Sequence, residues 1–104
     1  MKKGWEPPKG MNVEKKKIYG IFEKKTNELM YIGKTRSSLE QRWFYHTWKD
    51  NWSRNPIRVY MESCGFNNFE IELLRYCDTE QELDDWEKHY ILELQPKYNV
   101  RIWT

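Results

Sequence analysis

The sequence has only two cysteines and two histidines. Cys64 and Cys77 stand thirteen positions apart, a spacing that fits neither a CxxC motif nor a zinc-ligand pattern, and one pair of thiols makes no disulfide framework. A disulfide-stapled secreted scaffold is excluded as a class, and a reduced, cytoplasmic setting is expected. His46 has no second histidine or cysteine at ligand spacing, which removes it from any zinc site, and His89 reads as a surface residue. Long apolar runs are lacking as well. The basic start MKKGWEPPKG is not followed by an apolar segment, so no signal peptide is expected, and no stretch is long enough to span a membrane.

What is present fits one soluble globular domain with a small core: 104 residues, 38% of them hydrophobic and 33% charged. Six Trp, seven Tyr and four Phe enlarge that core, since each aromatic buries on the order of 150–250 Å². Met1 to Val13 reads as a Pro- and Gly-containing arm, and residues 14–104 as the domain. The net charge of +2 hides a division. Up to Arg58 the chain holds 14 Lys and Arg against 6 Asp and Glu; beyond it, 4 against 10. A basic half with Trp43, Tyr45, Trp48 and Trp52 interleaved suits a phosphate backbone through charge and an unpaired base through stacking. On composition alone, solvated lysines around an aromatic core are the simpler reading.

Polar chemistry concentrates between Lys17 and His46. Ile18, Tyr19, Ile21 and Phe22 form one predicted strand and Leu29 to Ile32 another, with Thr26 and Asn27 as turn formers between them. The polar run KTRSS breaks the second strand, and Ser38 with Gln41 has the spacing of a capping box, opening a helix from Leu39 to about Asp50. Arg42 and His46, four residues apart, share a face of that helix. A second helix is predicted over Pro56 to Cys64, closed by Gly65. Phe69, Ile71 and Leu73 alternate with Glu70 and Glu72, the pattern of a third strand with one buried face. Asp78 or Thr79 caps a last helix to about Leu94, stopped by Pro96, with Leu83, Trp86, Tyr90, Ile91 and Leu94 as its apolar stripe. An extended tail from Tyr98 to Trp103 is expected after it. Glu87 sits inside the stripe, so its carboxylate needs a partner: an arginine such as Arg42, a metal ion, or a proton in acid–base work.

These residues resemble the GIY-YIG endonuclease family. Tyr31, Ile32 and Gly33 are the second half of its name; Lys17, Ile18 and Tyr19 stand for the first, with lysine where the family usually has glycine. That departure removes no group the chemistry needs. Eleven residues separate Tyr19 from Tyr31, Arg42 and His46 resemble the arginine and histidine of the family's next helix, and Glu87 and Asn99 its later glutamate and asparagine. By residue type alone, Tyr19 and Tyr31 are packed strand aromatics and His46 a surface or helix-capping histidine.

The resemblance implies an α/β (α+β) fold, a small, mostly antiparallel three-stranded sheet flanked by about three helices, and hydrolysis of phosphodiester bonds in DNA, with RNA left open. Glu87 would hold one Mg²⁺ or Mn²⁺ with waters and substrate oxygens, as Mg²⁺ takes few protein ligands. Tyr19 would act as general base or orient the attacking water. Its ordinary pKa of about 10 requires cation charge nearby, from the metal, Lys34 or Arg42. Arg42 would stabilise charge on the phosphoryl oxygens, Tyr31 and His46 would position or shuttle protons, and Asn99 would support the site from behind. Lys34, Arg36, Lys49 and Arg54 are the expected phosphate contacts. Target choice would come from loops or from a specificity-giving partner chain, or be low, since 104 residues leave no room for a separate DNA-binding domain; a homodimer is left open. The alternative is a non-catalytic nucleic-acid-binding or regulatory module on the same scaffold. The joint presence of Tyr19, Tyr31, Arg42, His46 and Glu87 argues against it.

Overall fold

The computed structural model describes residues 15–48 and 55–99. The arm Met1 to Val13, Lys49, Trp52, Arg54 and the tail beyond Asn99 lie outside the described residues. The elements follow in the expected order: β1 (Lys17–Glu23), β2 (Glu28–Thr35), α1 (Leu39–Thr47), α2 (Pro56–Cys64), a 3₁₀ turn, β3 (Phe69–Tyr76) and α3 (Glu80–Leu94).

Local chemistry sets each boundary. Asn27 closes the β1–β2 turn at φ 60°, a left-handed conformation that asparagine tolerates. Ser38 and Gln41 form the capping box of α1, each side chain bonded to the other's backbone. The helix stops at Thr47 rather than near Asp50, because Trp48 already has extended backbone. Asn55 caps α2 ahead of Pro56, whose missing N–H costs nothing in a first turn, and Gly65 at φ 99° ends it. Thr79 caps α3, and Gln95 at φ 47° followed by Pro96 stops it.

The sheet order is β2-β1-β3 with both pairings antiparallel. It separates two apolar clusters. Tyr19, Ile21, Met30 and Phe69 meet Ile57 and Met61 of α2 on one face, while Ile18 and Ile32 meet Leu83 and Ile91 of α3 on the other. Two bulges break simple alternation. Ile21 pairs with Tyr31 but Phe22 with Leu29, so Met30 is an extra residue, and both Met30 and Tyr31 join the α2-side cluster. Between Tyr19↔Leu73 and Ile18↔Arg75, Leu74 is the extra residue. Leu74 packs in the α3-side cluster and Arg75 stacks on Trp86 of α3 at 3.8 Å, whereas Leu73 is left 39% exposed instead of buried. Leu94, expected in the α3 stripe, is exposed as well, in the last turn of the helix.

β2 is an edge strand, and the chain's own tail covers that edge. Tyr98 N–H donates to the Met30 carbonyl at 2.9 Å. The Asn99 side chain then accepts from Ile32 N–H at 2.7 Å and donates to the Ile32 carbonyl at 2.8 Å, as a neighbouring strand would. Ile32 is fully buried, so Asn99→Ala strands two backbone groups, each costing about 1–3 kcal/mol when unpaired. Thermal melting should show the midpoint lowered by at least roughly 8 °C, from a loss of about 2 kcal/mol or more at about 4–8 °C per kcal/mol for a domain of this size.

Candidate active site

The site grows from the hairpin. Tyr19 of β1 faces Gly33 of β2, and a Cβ at Gly33 would run into the Tyr19 phenol. Glycine is needed there for space. The Tyr19 side chain is fully buried, and its oxygen meets two residues of α1: His46 Nε2 lies 2.8 Å away, and Arg42 Nε donates to it at 3.1 Å. The four-residue spacing on one helix is what lets both reach one phenol. The Arg42 guanidinium also covers the Tyr45 ring at 4.5 Å.

His46 is buried, not a surface or capping residue, and a second arginine holds it from behind: Arg58 Nη1 donates to the His46 carbonyl at 2.7 Å. Burial, then the charges of Arg42 and Arg58, lower the imidazole pKa from 6.5 to about 4. The ring is neutral at pH 7, and its unprotonated nitrogen can accept a hydrogen bond. Burial and the neighbouring Tyr31 push the Tyr19 phenol well above its ordinary value, against the opposing pull of Arg42. The resting phenol keeps its proton. In the tautomer with the proton on Nδ1, Tyr19 donates to His46 Nε2, Arg42 fills one phenol lone pair, and the other remains to accept.

The depressed His46 pKa has a stability consequence. The unfolded chain binds a proton near pH 6.5 and the folded one only near pH 4, so stability is full above pH 6.5 and is lost as the pH falls towards 4. The difference is worth on the order of 3 kcal/mol at most, at 1.36 kcal/mol per unit. A His46→Gln protein should show a shallower fall in melting temperature over that interval than the parent, both measured in the same buffers.

In front of Arg42 lies an open cleft of about 760 Å³, lined by Tyr31, Lys34, Arg42, Glu87 and Asn99 among others. It gathers residues from β2, α1, α3 and the tail. Tyr19 and His46 do not line it and stand behind Arg42. The Glu87 carboxylate, 13% exposed, pairs with Lys34 at 3.7 Å and not with Arg42, which is committed to Tyr19. Lys34 also bonds Asp84, and Arg36 bonds Glu80, so both expected phosphate contacts are ion-paired to α3. Lys49 and Arg54 lie outside the described residues. Lys17, at the family's glycine position, is buried and ties its ammonium to the Ser37 carbonyl at 2.7 Å, just ahead of α1.

Three contributors escaped the sequence reading. Asn55 reaches Tyr31 Oη at 3.4 Å, Arg58 holds the His46 carbonyl, and Asp84 shares Lys34 with Glu87. The Asn-Pro pair at 55–56 is a helix-start signal that points to Asn55. Arg58, beside Ile57 and close to Met61, carried the same sign of a charge on an apolar helix face that singled out Glu87.

The donor set bears on a cation. Among the described residues no three His, Cys, Asp or Glu side chains converge as a metal cage. Glu87 presents one largely buried carboxylate to a polar cleft that also has Asp84 on its wall, which suits a Mg²⁺-type ion that keeps most of its waters and shares substrate oxygens.

The three-stranded antiparallel sheet with its flanking helices defines a small α+β domain. Residues 15–99 match the family model described as the GIY-YIG catalytic domain, and the chain belongs to that family. Neither the curated proteins nor the solved structures gave a match.

Proposed function

We propose that this domain is a metal-dependent endonuclease that hydrolyses phosphodiester bonds in DNA. The observation that carries the reading is the Tyr19 phenol held between a neutral, proton-accepting His46 and Arg42, behind a cleft that presents Glu87. Membership of a nuclease family supports a nucleic-acid substrate, and the basic half up to Arg58 supports binding of its phosphates.

Arg42 is the first group a phosphate in the cleft meets. Its guanidinium turns from Tyr19 towards the phosphoryl oxygens, stabilising charge that develops there and uncovering the phenol. Tyr19 then accepts a proton from the attacking water while passing its own to His46 Nε2, so no free phenolate has to persist. Tyr31, positioned by Asn55, orients the phosphate or the water. Glu87 would hold the divalent ion, Mg²⁺ or Mn²⁺, which supplies positive charge at the leaving oxygen. Asn99 keeps Ile32, and with it Tyr31 and Gly33, in register.

One observation favours a second assignment of the base. Tyr31 lines the cleft and Tyr19 is fully buried, so Tyr31 could take the water's proton directly with Tyr19 only orienting Arg42. The overall reaction is tested by nicking of supercoiled plasmid with Mg²⁺ or Mn²⁺ and with chelator. Nicking that needs the ion supports the proposal; binding without nicking in either metal leaves the non-catalytic module as the function.

A further inference from the structure

The face of α1 next to the catalytic side chains is aromatic and exposed. Phe44 is 58% exposed, Tyr45 48% and Trp48 43%, although burial is the usual fate of side chains this large in a small domain. With Gln41 they line a shallow slot of about 280 Å³. Phe44 and Trp48, one helical turn apart, have ring centroids 4.8 Å apart and planes inclined at 40°. Tyr45 adjoins the catalytic network, because the Arg42 guanidinium that bonds Tyr19 also covers its ring.

We infer that this slot is a stacking site for one unpaired nucleobase, next to the phosphate held by Arg42. The inference rests on the nuclease reading and narrows its substrate to DNA with an unpaired or extrahelical base near the scissile bond. Three features favour a base over an apolar protein segment. Among the described residues the slot is lined by the flat rings of Phe44, Tyr45 and Trp48 with Gln41 and by no leucine, isoleucine or valine, and flat rings stack on any base. It is continuous with a phosphate-directed arginine, so one nucleotide can place its base and its phosphate on adjacent residues of one helix. It also lies in the half of the chain with 14 Lys and Arg against 6 Asp and Glu, which favours a polyanion. Inside a duplex the base faces are already covered by their neighbours, so only an unstacked base can use such a platform. Gln41, whose side-chain oxygen caps α1, leaves its amide nitrogen to meet a base edge.

The test is binding, without cleavage, in chelator. Two duplexes of equal length are compared, one fully paired and one with a single extrahelical 2-aminopurine, each titrated with the parent and with Phe44→Ala/Trp48→Ala. The parent should prefer the bulged duplex by about tenfold or more, from the known strength of base–aromatic stacking, and quench the 2-aminopurine. The double variant should lose the preference and the quenching while holding the paired duplex within about threefold. Where truncation lowers the melting temperature, Phe44→Leu/Trp48→Leu keeps apolar volume without flat faces and should lose the preference in the same way. Equal binding of both duplexes by the parent, or a preference that survives either double variant, overturns the stacking site and leaves the nuclease reading standing. A parent that binds neither duplex overturns both. A parent dimer in sedimentation that the double variant dissociates, with no base preference, assigns the face to a second copy of the chain and overturns the proposal.

Discussion

Tyr19→Phe is expected to reduce plasmid nicking by at least about 10²-fold, the usual worth of a positioned acid–base group. The change removes one oxygen, but that oxygen is where His46 and Arg42 meet. Their joint dependence on it gives a sharper test than the single rate. If the phenol hands its proton to His46, Tyr19→Phe and His46→Gln act on one step, and the double variant should be little slower than either single one. Independent roles would multiply the two losses. The substitution is not silent in folding. Tyr19 is fully buried, and loss of its hydroxyl leaves the buried His46 Nε2 short of a partner, at about 1–3 kcal/mol and hence a midpoint lower by at least roughly 4 °C. Nicking must therefore be measured well below that midpoint. If Tyr19→Phe cleaves at the parental rate and Tyr31→Phe does not, the proton is taken by Tyr31 at the cleft wall.

The elements were legible because each boundary is marked by a residue with a local reason to be there. Ser38 with Gln41, Thr79, Gly65 and Pro96 act on the backbone beside them, and such signals survive any tertiary context. Face assignments were legible only where alternation is unbroken. Nothing in FEIELLRY marks Leu74 as a bulge, and that one extra residue sends Leu74 and Arg75 together to the α3 side and leaves Leu73 exposed. The site showed the same division. Arg42 and His46 share a helix, so their spacing places them together. The partner of Glu87 could not be read from α3, because Lys34 arrives from β2 across the edge of the sheet. The sequence offered Arg42 as a partner by charge, and the structure removes it by committing its Nε to Tyr19.

That partner changes what Glu87→Gln should do. A buried arginine left without its carboxylate would destabilise the fold by about 3–5 kcal/mol, which would confound any loss of cleavage with loss of structure. Lys34 is 41% exposed and keeps Asp84 as a second carboxylate, so the pair with Glu87 is closer to a surface ion pair, worth about 0–1 kcal/mol. Loss of the Lys34 pair in Glu87→Gln should therefore lower the melting midpoint by no more than a few degrees, the amide keeping the shape of the carboxylate. Cleavage should nonetheless fall to background, because the amide cannot supply the negative charge that holds a divalent cation. Binding of DNA in chelator should persist or tighten, since a negative charge leaves the cleft that receives the phosphate. Lys34→Met separates the two roles of the carboxylate. If Glu87 serves chiefly to hold Lys34, removing the lysine should abolish nicking as the glutamine does. If it serves the cation, Lys34→Met should keep nicking within about tenfold and need no more Mg²⁺ than the parent, because the carboxylate has lost a competitor. A Glu87→Gln protein that is folded, binds DNA and still nicks at the parental rate removes the carboxylate from the reaction.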